Sequence, residues 1–369
     1  MRIVYGALHN AMPVKGLPPA AHNGASGLVR PGKGMGLDKP AIGLLGLGSY
    51  FRRAYLSLLS SPSSPFQVAA LCRRNREAMK EVAVELGQPV LYTRWQEFMT
   101  HPGLDAVLIS TPHHLHYQQV RMALEQGLHV LVDKPLCLDA GEAEELVWLA
   151  RRCPLVLSVA YNYHYWSHFQ AARKLILSGN IGRITSVTGL GAARGDGSPI
   201  LDTDSWYHEP AQSGGGSMAS GGTHRLEAIF WLTGLQPRSV FAVMRGPSPR
   251  LDYQAGLVLE LAGGAVATLL NEAQGPEWQV EFSIYGEGGA LLLRNRDLKV
   301  VGAGGREAAE ALPAETDALS DFCAAIVGGK PLLASAEDGY WAVAAVQAAY
   351  ESAASGQPRA VRQLTFETS

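Results

Sequence analysis

Short apolar runs at residues 41–46, 67–71, 106–110, 128–132 and 155–160 alternate with helix-like periodicity at 50–60, 75–86, 115–126 and 140–151. That alternation constrains the fold more than any single motif. Near-continuous apolar strands need cover on both faces, and helices crossing between parallel strands supply it. The segment from residue 40 to 160 therefore predicts a parallel sheet wrapped by helices. Ligands of such a sheet lie in the crevice beyond the carboxyl ends of its strands. The polar residues that follow each apolar run are accordingly the first candidates for function.

After Tyr161 the pattern loosens. A helix at 169–178 leads to a strand at 184–189, a glycine-rich loop and a helix at about 218–232. β-like runs follow at 239–244, 256–261, 265–271, 279–285 and 290–293, some separated by Gly-Gly or Gly-x-Gly turns, as in a meandering and largely antiparallel sheet. Two alanine-rich helices at 317–327 and 336–352 close the chain. The expected fold class is α/β. One α/β domain spans 40–160, and a second with a large, mostly antiparallel open sheet spans 161–369, its last helices able to pack back on the first. Residues 1–39, rich in Gly, Pro, Ala and Asn, read as a flexible leader.

Composition excludes several classes of partner. The 31 Lys and Arg nearly balance the 33 Asp and Glu, so neither nucleic acid nor an anionic membrane surface is expected. Cys72, Cys137, Cys153 and Cys323 lack Cys-x-x-Cys spacing, which predicts neither a zinc site nor a disulfide framework and fits a cytoplasmic protein. The apolar start of the chain is broken at His9-Asn10, too early for a secretory core, and no other window approaches a membrane span.

The first strand mouth reads Gly46-Leu47-Gly48-Ser49-Tyr50-Phe51. Glycines there let the backbone turn tightly and approach a pyrophosphate at a helix N-terminus, where free N–H groups favour an anion. Phe51 takes the place of the fingerprint's third glycine. The second mouth, Cys72-Arg73-Arg74, has no acid to hold an adenosine ribose. Two arginines suit a ribose 2′-phosphate instead, which predicts NADP, with NAD as the alternative. At the third mouth, Ser110-Thr111-Pro112-His113-His114-Leu115-His116, Thr111 is placed to bond ribose or phosphate. The neighbouring histidines lack an identifiable third ligand, so no metal is predicted. At the fourth, Lys134 of Asp133-Lys134-Pro135 follows the strand directly, and Pro135 biases it towards extended backbone. Position alone fits both a functional lysine and a solvated strand cap. In the second domain, Ser213-Gly214-Gly215-Gly216-Ser217 leads to a helix that sets Ser220 and His224 four residues apart on one face, with Glu227 three further on. A histidine there can exchange a proton with a hydroxyl at neutral pH, or can be satisfied within helix packing.

Together these pieces resemble the Gfo/Idh/MocA family of oxidoreductases. The resemblance runs from about Ala41 to the C-terminus and rests on Gly46-x-Gly48, Thr111-Pro112-x-x-Leu115-His116, Asp133-Lys134-Pro135, Tyr161-Asn162-Tyr163, Gly179-Asn180-Ile181-Gly182, and Gly214-Gly215-Gly216 through His224. It implies that 40–160 is a Rossmann dinucleotide-binding domain and 161–369 a substrate-binding domain, with reversible oxidation of a hydroxyl on a sugar, cyclitol or related polyol, and a homo-oligomer, dimer or tetramer, joined through the open sheet. It also implies that Lys134 and His224 are the catalytic residues, and that Asn162 faces the nicotinamide end of the cofactor. Taken with the residues themselves, it gives a cofactor-contact set of Gly46, Gly48, Ser49, Tyr50, Phe51, Arg73, Arg74, Thr111, Pro112, His116, Asp133, Lys134 and Asn162. The corresponding substrate set is Tyr163, His164, Arg194, Trp206, Ser220 and His224.

Three departures from the family pattern bear on mechanism. Asp133 stands for a glutamate, a conservative change. His164 stands where an arginine is common, which is expected to reshape the substrate pocket. Ser220 stands for an aspartate and cannot supply charge to His224, so proton transfer is expected to lean on Lys134 or on another group among Tyr163, His164, Asp202, Asp204 and His208. Two other readings stay open from sequence: a redox-assisted glycoside hydrolase or lyase that holds its cofactor tightly, and a cofactor-binding sensor or partner protein that has lost catalysis.

Overall fold

The structure is a computed structural model and describes residues 39–195, 199–302, 307–308 and 312–365; the leader expected over 1–39 lies, but for Lys39, outside them. The first part runs β1 (Ala41–Leu45), α1 (Ser49–Ala54), α2 (Leu56–Ser60), β2 (Gln67–Cys72), α3 (Glu77–Glu85), β3 (Val90–Tyr92), α4 (Trp95–Met99), β4 (Ala106–Ile109), α5 (His116–Glu125), β5 (His129–Asp133), α6 (Ala140–Arg152) and β6 (Leu157–Ala160). Its strands form one parallel sheet in the order β3-β2-β1-β4-β5-β6. The order reverses between β1 and β4, which opens a crevice at their carboxyl ends. β4 and β6 are buried throughout, as near-continuous apolar runs require. β3 and α4 escape the periodicity because they are very short and β3 is a partly exposed edge strand.

The second part contains α7 (Ser167–Leu177), β7 (Ile184–Arg194), α8 (Pro210–Ser213), α9 (Thr223–Thr233), β8 (Pro237–Arg245), β9 (Gln254–Leu261), β10 (Val266–Gly275), β11 (Gln279–Gly286), β12 (Gly289–Arg294), β13 (Asp297–Gly302), β14 (Glu307–Ala308), α10 (Ala318–Gly328), α11 (Ala336–Ser355) and β15 (Arg359–Ala360). Among the described residues its strands form one sheet in the order β14-β13-β12-β11-β7-β10-β9-β8-β15. Every pairing is antiparallel except that of β7 with β10. The long connection from β7 through α8, α9, β8 and β9 lets β10 lie parallel to β7, whereas short turns join the consecutive pairs β9–β10, β11–β12 and β12–β13. β13 is absent from the sequence expectation because charged Asp297 and Lys299 alternate with its apolar residues.

One face of the large sheet is packed and the other is bare. Leu257, Leu259, Ala267 and Leu269 point into a core shared with α9, α11 and the first sheet. On the opposite face Phe241, Val243, Val258, Val266, Leu270 and Tyr285 are exposed, in register with one another across β8, β9, β10, β7 and β11. α10 leaves the second part and places Ala318, Leu319 and Phe322 in a core with Ile42, Leu44 and Phe51. Its start is fixed by Asp317, whose carboxylate accepts from the Leu319 and Ser320 amides. α11 begins with a Ser335/Asp338 capping box.

Candidate active site

The β1 turn and the β4 mouth fit together closely. Gly46 has φ +88°, and a Cβ there would lie 2.3 Å from the Ser110 carbonyl oxygen, so only glycine serves. Gly48 caps α1 with open space around it and no side-chain cap, which leaves the first amides of the helix available to an anion. Arg73 Nη1 donates to the Leu47 carbonyl at 3.3 Å and so borders this turn, while Arg74 is exposed beside it. The Tyr50 hydroxyl meets the Asn162 side chain, 3.4 Å from Oδ1 and 3.3 Å from Nδ2. Such a glycine turn, open helix start and basic second mouth fit a dinucleotide phosphate.

Two residues of the expected cofactor set are turned away from this space. Phe51 is fully buried in the α10 core and can offer only its backbone. His116 is fully buried too, its Nδ1 lying 2.7 Å from the Pro135 carbonyl and its Nε2 2.9 Å from the Thr111 carbonyl. It therefore clamps the third and fourth mouths together and does not contact a ligand. Burial holds its imidazole down to about 4 against those two carbonyls. Thr111 itself bonds Gln119 at 2.6 Å.

At the fourth mouth the Asp133 carboxylate is anchored from two sides. Tyr55 donates to Oδ1 at 2.5 Å and Ser110 donates to Oδ2. Burial nevertheless pushes Asp133 up to about 6. Lys134, half-buried, reaches across from β5 and donates from Nζ to the Ser220 carbonyl at 3.0 Å. Burial is the main cause that brings its ammonium down to about 8; Asp133 opposes the shift and Arg225 adds to it. The contribution of Ser220 is thus a backbone carbonyl, from a π-helical turn over Met218–Gly222 that precedes α9.

His224 starts the far side of the same space. Its Nδ1 is sealed without a partner, and its ring stands edge-on to Tyr161, 5.6 Å between centroids, and tilted against Tyr163 at 5.8 Å. Burial, then Lys134, Arg225 and His164, hold its imidazole well below the ordinary range. Among the described residues no carboxylate replaces the aspartate absent at 220: Asp202 and Asp204 are exposed, and Glu227 is engaged elsewhere. His164 is what engages it. The expectation that His164 reshapes the substrate pocket is corrected by its full burial: Nε2 meets Glu227 Oε1 at 2.7 Å, Nδ1 meets the Leu333 carbonyl at 2.5 Å, and the ring stacks on Trp231 at 4.1 Å. His208 Nδ1 is likewise occupied by the Ile200 carbonyl at 3.0 Å.

Residues 205–213 pack against the third mouth through His113. Trp206 stacks on Tyr207 at 3.8 Å and meets His113 edge-on at 4.8 Å, and His113 Nδ1 is fixed by the Ser213 carbonyl at 2.8 Å. Burial, with Asp133 next, raises the Tyr207 phenol to about 12. Arg194 ends β7 and is exposed. Among the described residues no group of three His, Cys, Asp or Glu could hold a metal ion.

Two family models match this chain: the Gfo/Idh/MocA oxidoreductase family with an NAD-binding Rossmann fold over residues 41–161, and the corresponding C-terminal domain over 169–292. The chain belongs to this oxidoreductase family. The 1,5-anhydro-D-fructose reductase of Ensifer adhaerens is 26% identical over 85% of this chain and 96% of its own length. The D-xylose 1-dehydrogenase (NADP(+)) 2 of Haloferax volcanii is 29% identical over 59% of this chain and 65% of its own. A levoglucosan dehydrogenase solved with NADH and levoglucosan superimposes with a TM-score of 0.77 at 25% identity, covering 88% of this chain and all of that one.

Within this Gfo/Idh/MocA member, several site residues are not visible as motifs. Tyr55 and Ser110 become partners of Asp133 only when the α1–α2 segment and β4 meet β5. Tyr207 adjoins Trp206, a member of the expected substrate set. Arg225 does carry a signal: with Glu227 it is one of two charged residues in the largely apolar and buried α9.

Proposed function

We propose that this family member is an NADP-dependent oxidoreductase that interconverts a hydroxyl and a carbonyl on a sugar, sugar derivative or polyol. The observation that carries this reading is the Lys134 ammonium, which spans from the dinucleotide crevice to the π turn ahead of His224. When bound, the nicotinamide supplies or accepts the hydride. Lys134 holds the reacting oxygen and, with an ammonium near 8, can also exchange its proton at ordinary pH. His224 is the second proton-exchanging group, working without a carboxylate partner. Asp133, held by Tyr55 and Ser110, sets the end of β5 and hence the reach of Lys134. Asn162 and Tyr50 border the nicotinamide side, and Tyr163, Trp206 and Arg194 border the substrate.

Residues 40–160 act as the cofactor domain and 161–369 as the substrate domain, to which α10 and α11 add cover for the first. The bare apolar face of the large sheet supports assembly of copies through it, because contiguous exposed apolar surface of this kind is uncommon on a monomer. The free cysteines, Cys72, Cys137, Cys153 and Cys323, suit a cytoplasmic enzyme. Among the described residues no helix is long and apolar enough to cross a membrane.

The preference for NADP rests on Arg73 and Arg74. Replacing both with alanine is expected to weaken NADPH binding by roughly tenfold or more, at about 1.5–3 kcal/mol per charged hydrogen bond, while NADH binding changes little. Fluorescence titration of the two reduced cofactors checks this. NADH binding at least as tightly as NADPH to the unaltered protein would remove the NADP assignment and leave the oxidoreductase reading intact.

A further inference from the structure

Arg225 is a buried cation without an anion. Its side chain is only 4% exposed. Nη1 donates to Asn271 Oδ1, the Tyr163 hydroxyl lies against the guanidinium, and Nε is sealed without a partner. Both neighbours are neutral, and among the described residues no carboxylate pairs with it. A guanidinium keeps its charge at any ordinary pH, and a buried charge is strongly unfavourable unless paired. Of the nearby ionisable groups, the Lys134 ammonium adds positive charge, and the His224 imidazole, held well below the ordinary range, offsets none.

The surrounding backbone makes room for this side chain at the wall of the candidate pocket. β7 carries glycine at 191, where a Cβ would overlap Arg225 Nε at 1.6 Å. Gly221 follows directly on the residue whose carbonyl holds Lys134, and a Cβ there would stand 3.2 Å from Arg225 Nη1. Guanidinium and ammonium therefore border one short stretch of the π turn, beside His224. Among the described residues the site has two cations and a histidine, and its one carboxylate, Asp133, is taken up by Tyr55 and Ser110 beside Lys134 and does not pair with Arg225.

We infer that Arg225 anchors an oxyanion carried by the substrate, a carboxylate or a phosphate ester, so that the enzyme acts on acidic sugars or polyols in preference to neutral ones. This deepens the function proposed above and rests on it. The planar fork of the guanidinium matches an oxyanion in a bidentate way, and the arriving charge supplies the counter-ion that the described residues do not offer. With the anion on Arg225, the reacting hydroxyl is left to Lys134 and His224.

The test uses the full chain and calorimetric titration with D-gluconate, D-glucuronate and glucose 6-phosphate, against D-glucitol and D-glucose, with and without saturating NADPH. Acidic probes are expected to bind at least about tenfold more tightly than their neutral counterparts, the effect of one charge-assisted pair. Gluconate against glucose 6-phosphate decides between carboxylate and phosphate. Arg225→Gln is expected to abolish the preference and Arg225→Lys to keep part of it, each with NADPH affinity unchanged. Acidic probes that bind no better than neutral ones, or a preference that survives in Arg225→Gln, would overturn the inference; should that variant not fold, the comparison on the unaltered protein still decides. Acid preference in a protein that fails to bind NADPH would keep the anion site and remove the oxidoreductase reading, whereas NADPH binding with equal affinity for neutral probes would do the reverse.

Discussion

Lys134→Ala is expected to lower kcat by about 10³-fold, within the range of a positioned acid–base group, while NADPH affinity stays within about threefold. The side chain is the only described link from the β5 mouth to the π turn, and alanine cannot hold an oxygen on the substrate. Its loss also frees the Ser220 carbonyl, so a thermal melt must accompany the kinetics to separate chemistry from unfolding. A pH profile adds a readout that misfolding would not mimic. In the direction of alcohol oxidation the base must be deprotonated, so kcat/KM is expected to rise through about 8, the region to which burial brings the ammonium, and in the reductive direction to fall through it. Lys134→Ala removes that limb. His224→Ala is expected to cost about 10²-fold and to leave the limb in place, because its imidazole is held well below this range.

Glu227→Ala is expected to destabilise the protein by about 3–5 kcal/mol, the usual consequence of removing one member of a buried ion pair. His164 and Glu227 are both essentially unexposed and 2.7 Å apart. Although burial disfavours its charge, the Glu227 carboxylate raises the His164 imidazole; burial conversely pushes Glu227 up to about 7. The pair ties α9, and with it His224, to the Tyr161–Trp166 segment and to the Leu333 carbonyl. Removing the acid leaves an imidazole that must either charge alone or lose its proton. Glu227→Gln keeps a hydrogen-bonding group and is expected to cost about 1–2 kcal/mol. Chemical denaturation of both variants measures the difference; equal losses would mean that the pair is not ionic.

The parallel sheet was legible because its strands are buried on both faces and so spell out uninterrupted apolar runs. The strands β3, β13, β14 and β15, at or next to the sheet edges, were not, since short or half-exposed strands carry little apolar period. Within the site, sequence placed Gly46, Lys134 and His224 at positions the structure brings into one crevice, because each follows a strand or opens a helix. It misjudged His164, Phe51 and His116, for which only tertiary packing decides whether a polar or aromatic side chain faces a ligand or the core. The lost charge at Ser220 was readable, but the carbonyl it gives to Lys134 was not, since a π turn and a backbone acceptor leave no mark on residue type.

The most direct measurement of the central claim is net turnover: the protein is incubated with NADP⁺ and a panel of neutral and acidic sugars and polyols, and reduced cofactor is followed beside carbonyl product. The account predicts reduced nicotinamide and carbonyl formed in equal amounts with at least one substrate, and about 10³-fold more slowly with Lys134→Ala. Cofactor that stays bound and shows no net reduction while a glycosidic bond is cleaved, or binding without turnover across the panel, would contradict it.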